Sequence, residues 1–132
     1  MDLNLSVCYG LAVTGYLTIH ADKGWVQSSE ISKECQVPSE YLLRILQQMS
    51  RHTIVIGKRG PRGGFKLARP AAVITLLEVI EAAGGPMAHK EDITELTADT
   101  PLTRNLETVC RQASEKEASI LSKVTLRQLA GQ

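Results

Sequence analysis

The chain has 132 residues, with 15 Lys/Arg against 14 Asp/Glu and a net charge of +1, so it is sized for one modest domain without a global charge bias. No apolar run approaches the roughly 20 residues that span a bilayer, and Asp2 and Asn4 stand where a secretory signal would be basic. Cys8, Cys35 and Cys110 are odd in number and far apart, which fits free thiols in a reducing cytoplasm rather than a disulfide framework.

Aromatics make up 4% of the chain, so Leu, Ile, Val and Ala must form the core. Residues 3–20 carry Leu3, Val7, Leu11, Val13, Tyr16, Leu17 and Ile19 at mostly helical spacing and predict a first helix, ended by Asp22–Gly24. Ser28 and Ser29 before Glu30-Ile31 predict a second helix over roughly residues 28–35. After Cys35-Gln36-Val37, Pro38 fits the first turn of a third helix reaching about His52. Its buried stripe is expected to be Tyr41, Leu42, Ile45, Leu46 and Met49, which leaves Glu40, Leu43, Arg44, Gln47 and Gln48 largely outside. A short helix, a tight turn and a second helix with an uncommitted polar face describe a helix-turn-helix, whose second helix would enter a major groove. The same pattern also fits an ordinary corner between two core helices.

Residues 51–70 are locally very basic. They hold Arg51, Lys58, Arg59, Arg62, Lys66 and Arg69 and no acid. Thr53–Ile56 and Phe65–Ala68 predict two strands around a turn of Gly60, Pro61, Gly63 and Gly64, a β-hairpin with a cationic tip. Such a tip suits phosphates and a narrow minor groove, and taken alone it equally fits a solvated basic hairpin without a partner. Helix-turn-helix followed by a β-wing is a winged helix. By contrast residues 71–100 carry six acids (Glu78, Glu81, Glu91, Asp92, Glu95, Asp99) against Lys90 alone, so one edge faces a polyanion and another faces elsewhere.

Thr75 and Glu78 predict a capping box, with Ile74 and Val79 as its hydrophobic staple, and Gly84-Gly85-Pro86 ends the helix they start. Residues 87–99 lack a clean period and predict a loop with at most a short helical piece. Thr100-Pro101 opens a last long helix. On it Leu102, Leu106, Val109, Ala113, Ile120 and Val124 form a heptad-like seam, broken at Lys116/Glu117, which suits packing against the rest of the domain or against a second copy of the chain, the copy being favoured because a groove-reading module this small gains affinity by doubling its footprint.

Tyr41-Leu42, Arg59-Gly60-Pro61-Arg62-Gly63-Gly64-Phe65-Lys66-Leu67-Ala68-Arg69-Pro70, Ile74-Thr75-Leu76-Leu77-Glu78-Val79-Ile80 and Thr125-Leu126-Arg127-Gln128-Leu129 together resemble the Rrf-two family of bacterial winged-helix transcription regulators. Better-known members sense iron–sulphur clusters, nitric oxide or cysteine supply. The resemblance implies a mainly α fold with a small β-wing: a winged helix-turn-helix over residues 1–83, an acidic effector-region loop over 84–100, and a dimerisation helix with its tail over 101–132. It further implies a cytoplasmic homodimer on a roughly palindromic DNA operator, most often repressing. The DNA-binding residues expected from motif and resemblance are Ser28, Ser39, Glu40, Tyr41 and Arg44 on the helices and Lys58, Arg59, Arg62, Gly63, Gly64 and Lys66 on the wing.

Three departures stand out. Leu43 falls where many members carry a polar base-reading residue, and His52-Thr53 replaces the usual small residue and glycine before the wing. Cluster-binding members hold three cysteines in the loop after the capping-box helix, whereas residues 84–105 here contain none. His89, Glu91, Asp92 and Glu95 have ligand chemistry but read as a solvated acidic loop, so neither metal nor cofactor is expected. The alternative is a cluster held across a dimer by Cys8 and Cys110. Cys110 shares an apolar face with Val109 and Ala113 and reads as a small buried hydrophobe. Cys35, beside the helix-turn-helix turn, is expected to be the most exposed thiol. The redox-thiol candidates are thus Cys8, Cys35 and Cys110, and a small-molecule or protein effector is compatible with the pattern.

Catalysis is not expected. His20, His52 and His89 are scattered, and the glycine run lacks the Lys-Ser/Thr ending of a phosphate-cradling loop. The competing function is a protein-interaction module acting through its heptad-like helix without DNA.

Overall fold

Asn4 starts the first helix: its side-chain oxygen accepts the Val7 backbone N–H at 3.0 Å, and α1 then runs Leu5–Ile19. The computed structural model describes residues 3–87 and 92–131. A short 3₁₀ turn, Ala21–Lys23, leads to α2 (Ser28–Cys35) and α3 (Ser39–Arg51). The antiparallel strands β1 (Val55–Lys58) and β2 (Gly64–Leu67) follow, then α4 (Leu76–Gly84), α5 (Ile93–Leu96), α6 (Pro101–Leu121) and α7 (Leu126–Leu129). The architecture is mainly helical with a two-stranded wing, as the sequence indicated.

The core is aliphatic. Val7, Val13 and Leu17 of α1 meet Ile31 of α2, Leu42, Ile45, Leu46 and Met49 of α3, and Val79 and Ile80 of α4, all buried. At roughly 25 cal/mol per Å² of apolar surface, these side chains supply the main drive for folding. The capping box on α4 is present: Glu78 N–H donates to the Thr75 hydroxyl at 3.2 Å, and Thr75 N–H donates to the Glu78 carboxylate at 2.8 Å. Ile74 and Val79 are both fully buried, as a staple requires.

Five sequence expectations are corrected. Tyr41 is 40% exposed and lies outside the stripe; its ring stands edge-on to Tyr9 at 5.7 Å instead of entering the core. Pro38 is the N-cap of α3, one residue before the first turn. The first strand begins at Val55 rather than Thr53, because Thr53 takes a left-handed φ of 55° that no strand accommodates, and Ile54 dips into the core. The second strand likewise shifts one residue earlier, to Gly64. Val124 lies beyond the end of α6, in a turn where its carbonyl accepts the Leu76 N–H at 2.7 Å, so it is no part of a helical seam.

That turn leads into α7, which residue spacing did not reveal. Leu126 N–H donates to the Ile74 carbonyl at 2.9 Å, and buried Leu126 joins the main core. A capping box, Thr125 with Gln128, starts this one-turn helix.

Candidate nucleic-acid interface

The turn between α2 and α3 is locked locally. Gln36 ends α2 in the left-handed region, and Ser32 donates its hydroxyl to the Val37 carbonyl at 2.6 Å. Ser32 and Ser39 hydroxyls lie 3.5 Å apart across the turn. Behind α2, the Tyr16 hydroxyl donates to Glu30 at 2.5 Å and Lys23 approaches the same carboxylate oxygen at 3.2 Å. The hydrogen bond to Glu30 pushes the Tyr16 phenol up to about 12. Hydrogen bonds from Tyr16 and then Lys23 hold Glu30 below the usual carboxylate range. These contacts tie α2 to α1.

The wing is tied to α2 from both sides. Val26 pairs with Phe65 of β2 through two backbone hydrogen bonds of 2.9 and 2.8 Å, adding a one-residue third strand. Gln27 occupies the N-cap of α2, yet its side chain makes no cap; it donates instead to the Pro61 carbonyl at the wing tip, at 3.0 Å. The first N–H groups of α2 are therefore left uncapped by side chain, in a position suited to an anion. Trp25 stands beneath two wing cations, with Lys66 Nζ 4.5 Å and Lys58 Nζ 5.8 Å from its ring centroid.

These elements surround two adjoining clefts. One of about 320 Å³ is lined by Gln27, Ser28, Ser29, Lys58, Gly60, Gly63, Gly64 and Phe65. The other, of about 160 Å³, is lined by Ser28, Ser29, Ser39, Leu42 and Leu43. Ser28 and Ser29 border both, so the starts of α2 and α3 and the wing lie along one continuous face. Lys58 lines the first cleft, Arg59, Arg62 and Lys66 are exposed on the same wing, and among the described residues none of the four pairs with an acid. Gly63 is buried, and a Cβ on it would collide with the Lys58 carbonyl. Arg69 turns inward, donating to Glu78 at 2.9 Å and to the Thr53 carbonyl at 3.1 Å.

Ser39, Glu40 and Arg44 are exposed on α3, and the Arg44 guanidinium lies 5.9 Å from the Tyr41 ring centroid. Trp25, Gln27 and Ser29 were missed by sequence reasoning. The signal available was Trp25-Val26, an aromatic and a β-branched residue together, which is strand chemistry just before a helix start.

The other candidates are placed as follows. On α6 Leu102 is 76% exposed, Val109 and Ile120 are each 60% exposed, and Leu106 and Ala113 are exposed as well. Cys8 is the exposed thiol. Cys35 corrects the expectation: it is half-buried, its thiol points to the Ala12 carbonyl at 3.6 Å, and burial, then the neighbouring Glu34, pushes its pKa up. Cys110 is half-exposed rather than buried. His89 and Glu91 lie outside the described residues, and Asp92 instead caps α5, accepting the Thr94 N–H at 2.9 Å. Glu95 sits within α5. Among the described residues no three His, Cys, Asp or Glu side chains are grouped to hold a metal ion, so within one chain these residues do not fit an iron or iron–sulphur site. Among them, too, no helix is long and apolar enough to cross a membrane.

Comparison with known proteins agrees with this arrangement. Residues 3–132 match the family model Rrf2 (the Rrf-two family of the resemblance above), described as "Iron-dependent Transcriptional regulator". A candidate HTH-type transcriptional regulator of Aquifex aeolicus is 34% identical over 79 residues, 60% of this chain and 54% of that protein. One of Mycobacterium tuberculosis is 28% identical over 133 residues, covering 99% of this chain and 82% of that one. Among solved structures, CymR (YrzC), the global cysteine regulator of B. subtilis, superposes with a TM-score of 0.78 at 24% identity, covering 99% of this chain and 97% of that one, a likeness of fold. The chain belongs to the Rrf2 family of winged helix-turn-helix transcription regulators.

Proposed function

We propose that two copies of this chain join through α6 and bind a roughly palindromic duplex DNA site, each copy setting α3 in a major groove and its wing in the flanking minor groove. The observation that carries the reading is the single face formed by the wing and the starts of α2 and α3, with four exposed cations and no acid partner for them among the described residues. Lys58, Arg59, Arg62 and Lys66 would meet phosphates and the minor groove, with Gly63 and Gly64 keeping the tip narrow. Ser28, Ser39 and the uncapped start of α2 would hold the backbone and so fix the register. Glu40 and Arg44 would address base edges, with Tyr41 stacked beside Arg44 to hold it.

The dimer is supported by the exposed apolar row Leu102, Leu106, Val109, Ala113 and Ile120, a surface that a second copy would cover. Doubling the module doubles its phosphate contacts and sets two reading helices about one DNA turn apart. Occupying such a site represses transcription where it overlaps a promoter. No three-cysteine cluster enters this reading. A small-molecule or protein effector acting near residues 84–100 would shift α6 and thereby the spacing of the reading helices. The protein acts in the cytoplasm and performs no catalysis.

The test is to enrich duplexes from a random pool with the purified chain and measure its mass in solution, free and bound. The expected result is a dimer, a two-fold symmetric sequence, and loss of both dimer and affinity in Leu106→Glu/Val109→Glu. A dimer that enriches no duplex would favour a protein-interaction module and overturn the DNA reading. A monomer bound to a single half-site would overturn the dimer.

A further inference from the structure

We infer that Leu43 reads a thymine, packing against the C5-methyl group on the major-groove edge of one base in each half-site. This rests on the DNA-binding reading above and deepens it to a base preference.

Leu43 is 54% exposed on α3 and lies in one row with Ser39 and Gln47, each four residues from the next, on the face turned away from the core. Two large apolar side chains of α3 are exposed, Tyr41 and Leu43. Tyr41 is accounted for by the Tyr9 ring and the Arg44 guanidinium beside it. Leu43 has no such neighbour and stands at the rim of the smaller cleft, with Ser28, Ser29 and Ser39 around it. It is an apolar contact set among hydroxyls, on the face whose wing side carries the unpaired cations.

Base chemistry then limits what it can recognise. A leucine offers neither donor nor acceptor. The edges of guanine, adenine and cytosine present polar groups in the major groove, and covering one with leucine strips its water without replacing the hydrogen bond. Thymine alone among the four bases presents a methyl group there. The serine hydroxyls beside Leu43 are placed to hold the phosphates and so keep that methyl in register with the leucine. Burying one methyl contact is worth about fourfold in affinity per half-site, and about 15-fold across both halves of a dimer site.

The test uses the full-length chain and the duplex it enriches from a random pool. Each thymidine is replaced in turn by deoxyuridine, which pairs identically and lacks only the methyl. The expected result is one position per half-site where the replacement weakens binding about fourfold, and disappearance of that difference in Leu43→Ala, which still binds. An exposed position makes this variant safe for folding. Wild-type protein indifferent to every replacement, or a methyl preference that survives in Leu43→Ala, overturns the assignment of Leu43 alone. Failure to enrich any duplex overturns the DNA reading and this inference with it.

Discussion

Gly64→Ala is the substitution that most directly probes how the wing is held. Gly64 opens β2 with φ +138°, and a Cβ there would lie 2.6 Å from the Val26 carbonyl carbon and 3.0 Å from the Gln27 nitrogen. Both are backbone atoms with no side-chain slack, so the alanine must push β2 away from the Val26 segment. A side chain in that backbone region costs about 1–3 kcal/mol. Loosening the two Val26–Phe65 hydrogen bonds, 2.9 and 2.8 Å, adds up to about 1 kcal/mol each. A total near 3 kcal/mol corresponds to a fall of about 10 °C in melting temperature for a domain of this size. The same movement draws Lys66 off Trp25 and Pro61 off Gln27, so affinity for DNA should fall about tenfold, the equivalent of about 1.4 kcal/mol. Thermal unfolding by circular dichroism and fluorescence anisotropy at fixed salt measure the two effects. A variant that melts within about one degree of wild type refutes the backbone argument. One that melts early yet binds DNA unchanged refutes the link from wing to DNA.

Thr53 is the converse case, a β-branched residue held at φ 55°. Thr53→Gly should relieve about 1–2 kcal/mol of strain, less about 0.5–1 kcal/mol of added chain entropy, and raise the melting temperature by about 5 °C at most; a fall would show that Thr53 is not strained. Burial alone would raise the Glu78 pKa, but the Thr75 N–H and the Arg69 side chain outweigh it and hold the group below 4.5. Its folded pKa is depressed, so its contribution to stability is whole above about pH 4.5 and is lost as pH falls from there through the lower folded pKa. Acid unfolding should accordingly steepen below about pH 4.5, and Glu78→Gln should flatten that loss; identical acid profiles would remove Glu78 from the account. A thiol reagent on the folded protein should modify Cys8 first and Cys35 last, with Cys8→Ser abolishing the fast phase. Rapid labelling of Cys35 would contradict its burial against α1.

Most of this fold could be read from residue spacing, because helix signals are local. The Thr75–Glu78 box, the Ile74/Val79 staple and the four-and-three spacing of Leu42, Ile45, Leu46 and Met49 each lie within a turn or two of chain. The candidate face was legible where charge marks it, at Lys58, Arg59, Arg62 and Lys66. It was not legible where distant segments meet. Val26 pairs with Phe65 and Gln27 reaches Pro61, both across more than a helix of intervening chain, and no local pattern announces such pairs. Tyr41 shows the limit of periodicity: its spacing suits the stripe, but its ring finds Tyr9 at the margin. The Thr125–Gln128 capping box of α7 is the only local mark of that helix, since four residues leave no apolar period.

The most direct test of the DNA-binding face is the dependence of affinity on salt, measured with the enriched duplex for wild type and for Arg59→Ala. If the wing and α3 hold phosphates, the logarithm of the binding constant falls linearly with the logarithm of salt concentration, with a slope of about −0.9 per phosphate held. Arg59→Ala then binds more weakly and with a slope shallower by about one unit per chain. Wild-type affinity that is flat with salt, or an Arg59→Ala line that overlies it, would contradict the claim.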